Sequence, residues 1–169
     1  MKNTVWMLTV LFLLGFLSVN AQAPIGIGEV QINAGLGFSS YGVPVYAGFD
    51  IGVHEDITVG GELSFRSYSD NYVNVKYRHS IVGISANGNY HFNTVLNIPE
   101  PWDLYAGLNL GYYIWHTYDS GYNGSGSSGL GLGAQLGGRY YFNDKFGVNL
   151  EFGGGNSFSG GKIGISIRL

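Results

Sequence analysis

Period-two alternation between apolar and small polar residues, repeated eight times, is the feature that most restricts how this chain can fold. The first run sets Val30, Ile32, Ala34, Leu36 and Phe38 against Gln31, Asn33, Gly35, Gly37 and Ser39. The same division recurs over Val45–Val53, Ile57–Arg66, Val82–Phe92, Leu104–Ile114, Leu130–Phe142, Phe146–Gly153 and Ile163–Leu169. Successive side chains of a strand point to opposite faces, so each run is a strand with one apolar and one polar side. Charge respects the division. Asp50, Glu62, Arg66, Arg139, Glu151 and Arg168 all take the polar parity of their strands. Arg78 has the other parity, at the loop end of its strand.

Which side faces inward follows from composition. Charged residues are 11% of the chain, and 29 of the 169 residues are Gly. A soluble domain carries about a quarter charged residues. A soluble barrel would turn the Gly, Asn, Ser and Gln parity to water, a poorly charged surface. With the apolar parity facing lipid, no charge falls where an Arg at mid-bilayer costs roughly 2–4 kcal/mol. Lipid cannot satisfy free backbone groups, so the sheet has to close on itself, and an even strand number suits that closure. The expected fold class is all-β, an eight-stranded antiparallel up-and-down transmembrane β-barrel.

Two sets of connections separate the strands. His54–Asp56 and Asn143–Lys145 are tight turns, and Asn93–Trp102 is longer, stiffened by Pro99 and Pro101. Ser40–Pro44, Ser67–Lys76, His116–Ser128 and Asn156–Gly160 form the second set and are expected as outer loops, with both termini periplasmic. Aromatic residues gather at strand ends as interfacial girdles do: Tyr90, Phe92, Trp102, Tyr140, Phe142 and Phe146 at one end, and Phe38, Phe65, Tyr112 and Trp115 at the other.

Residues 1–21 read as a cleaved signal peptide and 22–169 as the barrel domain. Lys2 supplies the positive start, Val5–Val19 an apolar run too short to span a bilayer, and Val19-Asn20-Ala21 the cleavage pattern. The net charge of −3 argues against a nucleic-acid partner, and the absence of Cys against a disulfide framework.

Eight strands enclose a lumen that side chains just fill. Buried charges need partners, so Asp50, Glu62 and Glu151 are expected to pair with Arg66, Arg139 and Arg168 in a structural or gating network. Arg139 and Glu151 lie nearly opposite across the Asn143–Lys145 turn and are expected to pair.

The segment Gly137-Gly138-Arg139-Tyr140-Tyr141-Phe142-Asn143-Asp144-Lys145-Phe146-Gly147-Val148 resembles the sixth strand, turn and seventh strand of the small OmpA/OmpX-like outer-membrane barrels. Leu104-Tyr105-Ala106-Gly107-Leu108-Asn109-Leu110-Gly111-Tyr112 is similar to their fifth strand. The resemblance implies a protein of the Gram-negative outer membrane with a structural, surface-interaction or weak-pore role. Its expected partners are outer-membrane lipid, lipopolysaccharide and the outer-membrane assembly machinery; the sequence names no surface ligand.

Catalysis is the competing class. His79-Ser80, His116, Asp70 and Asp119 are its candidates, but adjacent strand residues point apart and cannot form a nucleophile–base pair. Gly124–Gly129 has G-x-G-x-x-G spelling without the helix that a dinucleotide site needs. His54, His91 and the acids do not converge at metal-ligand spacing. No catalytic, cofactor or metal residue is therefore assigned.

Overall fold

A computed structural model describes residues 24–39, 42–72, 75–117, 128–156 and 159–169. The proposed signal peptide, Asp119 and most of the Gly124–Gly129 run lie outside the described residues. Eight strands occur in chain order: β1 (Val30–Ser39), β2 (Val45–His54), β3 (Ile57–Tyr72), β4 (Val75–His91), β5 (Trp102–Thr117), β6 (Gly129–Tyr141), β7 (Phe146–Gly155) and β8 (Ser159–Arg168). Each pairs antiparallel with the next, and β8 pairs with β1 to close the barrel, with Asn33 opposite Ser166 and Ala34 opposite Ile165. Residue 24 and Leu169 lie at one end, here the terminal end; the opposite end is the loop end.

The alternation sorts as the sequence implies. Leu63, Leu108, Leu136 and Ile163 project outward, while Gln31, Asp50, Thr58, His91 and Ser166 are almost wholly buried. At the terminal end, Trp102 packs on Tyr140 (ring centroids 4.7 Å) and Tyr140 on Phe142 (5.5 Å). Tyr90 meets Phe92 there at 5.4 Å.

Two connections and one girdle residue differ from expectation. Ser67–Lys76 is mostly strand: β3 and β4 pair from Ile57 opposite Tyr90 up to Tyr72 opposite Val75. β2 stops at Val45 opposite Phe65, so the upper part of this hairpin stands above the barrel rim. Cross-strand pairing there overrides the weak strand preference of Ser69-Asp70-Asn71. Trp115 also leaves the outer girdle, because it shares the parity of the inward Tyr113. It joins Tyr68 (6.1 Å), which in turn stacks on buried His79 (5.0 Å).

The long turn between β4 and β5 holds a one-turn helix, α1 (Asn93–Leu96). Its Asn93 side chain donates to the Trp102 carbonyl at 2.7 Å and accepts from the Leu104 amide at 3.3 Å. The Thr94 hydroxyl donates to Asp56 at 2.6 Å. The extra length is thus a folded bridge joining neighbouring turns.

Residues 24–29 bend back into the terminal mouth. Gly28 takes a left-handed φ of 84°, and its amide donates to the Gly52 carbonyl at 2.8 Å. The Gly52 amide donates to the Glu29 carbonyl at 3.1 Å. A side chain at Gly52 would collide with the Gly26 carbonyl, so only glycine lets this segment seat. Ile25, 2% exposed, closes the mouth.

Candidate functional site in the barrel lumen

Inward parity delivers the polar residues of all eight strands into one narrow space, where each must find a partner. In the terminal half the centre is Arg139 on β6. It donates through Nη2 to Asp50 on β2 at 2.6 Å and through Nη1 to Asp103 on β5 at 3.1 Å. Its guanidinium lies 4.3 Å from the Tyr105 ring centroid. Asp50 also accepts from Asn33 at 2.9 Å and Asn87 at 3.0 Å. Asn33 in turn accepts from Gln31 at 2.9 Å and Ser166 at 2.7 Å, and Tyr141 donates to Gln31. These bonds tie β1, β2, β4, β5, β6 and β8 across the barrel.

Beside this cluster, His91 Nδ1 lies 2.7 Å from Asp103 and Nε2 lies 3.0 Å from the Thr58 hydroxyl. A carboxylate needs a donor, which places the ring hydrogen on Nδ1 and leaves Nε2 to accept from Thr58. Hydroxyl, imidazole and carboxylate have the order of a nucleophile, base and orienting acid. They are 1%, 0% and 1% exposed, and none of the three lines the loop-end cavity.

The loop half is different. A cavity of about 140 Å³ runs from a floor at Asp50 and Arg139 to a rim at Phe38 and Ser39. It exists because Gly131, Gly133, Gly153 and Gly155 present no side chains inward from β6 and β7. Across it, Lys162 Nζ bridges Glu62 and Glu151 at 2.7 Å each. Tyr105 donates to the second Glu151 oxygen at 2.9 Å, and Lys162 sits 5.1 Å from the Tyr46 ring centroid. Arg66 donates to Ser39 at 3.1 Å. The expectation of a lumen filled by side chains therefore holds for the terminal half and not for the loop half.

The six charges read from sequence all point inward, but their pairing differs. Arg139 does not meet Glu151, because the register sets Glu151 opposite Gly137 and Arg139 opposite Asn149. On its other side Arg139 lies directly opposite Asp103. Arg168 stacks on the Tyr141 ring at 3.6 Å instead of pairing with one of the three acids. Asp103, Lys162 and His91 were missed. The signal was present for all three: His91 has the polar parity of the Val82–Phe92 run, Asp103 shares parity with Tyr105, and Lys162 with Gly164, the last two one step beyond the strand ends drawn from apolar residues. Of the rim candidates, His79 is buried against Tyr68, while Ser80 lies opposite the exposed His116 across the β4–β5 pair. Among the described residues no group of three or more His, Cys, Asp or Glu is placed to hold a metal.

Residues 9–166 match the outer membrane protein beta-barrel domain family. No curated protein matches the sequence. Among solved structures, the N-terminal β-barrel domain of OprF from Pseudomonas aeruginosa is similar, at 16% identity and a TM-score of 0.59, covering 86% of this chain and 100% of that one. OprG from the same organism gives 11% identity and a TM-score of 0.67, covering 90% and 99%. Neisserial surface protein A gives 15% identity and a TM-score of 0.59, covering 83% and 95%. At these identities the likeness is one of fold.

Proposed function

We propose a function for a chain that belongs to the outer membrane protein beta-barrel domain family: it is a closed barrel with a structural or surface-interaction role, carried by its wall and loop end. The observation behind this reading is the terminal half of the lumen, where Arg139, Asp50, Asp103 and His91 interlock and Ile25 stops the mouth. Arg139, Asp50 and Asp103 hold one another there, so opening a path through them would strand an ion in a low-dielectric space. Residues 1–21 act as the removed signal. The terminal end faces the periplasm and the loop end faces outward, in line with the tight turns at the former. Outer-membrane lipid and lipopolysaccharide surround the wall, and the outer-membrane assembly machinery inserts it.

A narrow gated pore is the second reading, favoured by the cavity that reaches Arg139 from the loop end. Conductance of refolded protein in a planar bilayer separates the two. The closed-barrel reading expects silence, with insertion verified by electrophoretic heat-modifiability. Discrete openings in the wild type that enlarge in Arg139→Ala would replace it with the gated pore.

A further inference from the structure

The cavity has a cost that the closed-barrel reading does not explain. A narrow barrel fills its own interior, and an unfilled space forfeits packing energy. Four inward glycines of β6 and β7 nevertheless leave one wall bare beside Lys162, Glu62 and Glu151.

We infer that this cavity is a binding pocket for a single uncharged sugar ring or an equivalent polyol, entering from the loop end. Three observations carry the chemistry. The size suits one small ring: a void of about 150 Å³ in another protein takes up benzene, and this one measures about 140 Å³ and extends to the rim. Its charge is balanced. The wall holds three acids, Asp50, Glu62 and Glu151, and three bases, Arg66, Arg139 and Lys162. Asp50 with Arg139, and both glutamates with Lys162, are already in contact. An ion entering would give up hydration against acids and bases that are mostly in contact with one another, whereas hydroxyls can both donate to and accept from such a wall. The pocket is also amphipathic. Tyr46 and Tyr113 line it, and Tyr68, His79 and Trp115 stack above on the wall that overtops the rim. Ring faces of this kind cover the apolar face of a sugar while phenols and carboxylates meet its hydroxyls.

This inference rests on the closed barrel, since a blind pocket needs a sealed floor. The test uses the refolded barrel, ¹⁵N-labelled, in a micelle whose detergent has no sugar headgroup. D-glucose, D-galactose, D-mannose and N-acetyl-D-glucosamine are titrated, with D-glucuronate and D-glucosamine as charged comparisons. The expected result is saturable amide shifts confined to cavity residues, including Gly133 and Gly153, for at least one neutral sugar and not for its charged counterpart. Methyl glycosides then separate two sources: retained binding indicates the terminal residue of a surface glycan, and lost binding a free sugar. Ser85→Leu, which fills the cavity, should weaken saturation about tenfold or more. Tyr113→Ala, which removes a ring without filling space, is the second variant should the first not fold. No saturable shift with any neutral sugar, shifts outside the cavity, or equal response to the charged sugars would each overturn the pocket. Bilayer conductance of the same preparation keeps the failures apart. A silent barrel without sugar shifts loses the pocket alone, and a conducting wild type loses the closed barrel as well.

Discussion

Arg139 concentrates the energetics of the lumen in one side chain. It is 3% exposed and touches two carboxylates, Asp50 and Asp103, that are 2% and 1% exposed. Removing one member of a buried pair leaves its partners charged and unsolvated, at a cost of about 3–5 kcal/mol. Arg139→Gln should therefore lower the urea stability of the refolded barrel by about that amount. Lys162 is the comparison, because its side chain is 25% exposed and the bridge it makes is partly open to solvent. Lys162→Met should cost measurably less, since solvent can reach Glu62 and Glu151 when the ammonium is gone. Equal losses for the two variants would show that depth in the lumen does not set the value of its ion pairs. The Thr58–His91–Asp103 constellation is as deeply buried. Its geometry is that of a polarised hydroxyl, and all three side chains are buried away from solvent.

The strands were legible because period two is a direct imprint of a wall between unlike media. Boundaries were less so, since they were drawn where apolar residues stop. β5 starts at Trp102 and carries Asp103 inward; β8 starts at Ser159 and carries Lys162 inward. Partner choice was not legible. Side chains in a closed lumen reach across to strands distant in sequence, as Tyr46 does when it donates to Asn149 at 2.6 Å. Nor was the mouth closure, because Ile25 precedes the first alternating run and its seat depends on a missing Cβ at Gly52. That closure gives an element-scale prediction. The sequence has no Cys, so Ile25→Cys offers a unique handle for a water-soluble maleimide. Labelling should be slow in the otherwise native barrel, with Glu29→Cys as the exposed control. Adding Gly52→Val should raise the Ile25→Cys rate about tenfold or more, the effect of about 1.4 kcal/mol on seating. Rapid labelling without the second change would mean that the segment does not occupy the mouth.

At the scale of the whole molecule, the wall inverts the usual order of a folded protein: polar groups line its interior and apolar side chains its surface. Such a surface is stable only against lipid, and that dependence has a depth signature. Leu108, 70% exposed, sits midway along the barrel part of β5, whereas Phe142 lies just past β6 in the terminal girdle beside Tyr140. Substituting Arg at a lipid-facing position costs roughly 2–4 kcal/mol at the bilayer midplane and about 0–1 kcal/mol near an interface. Leu108→Arg should therefore lower the urea stability of the barrel in lipid vesicles by roughly 2–4 kcal/mol. Phe142→Arg should cost less, and its loss should come mainly from the ring contact with Tyr140. In detergent micelles, where the apolar layer is thin and deformable, the gap between the two should shrink. A soluble barrel with its apolar parity in water would reverse the expectation: Arg would improve solvation at both positions, and depth would not matter. The difference between the two variants, measured in vesicles, thus tests the medium itself, independently of whether the lumen conducts or binds.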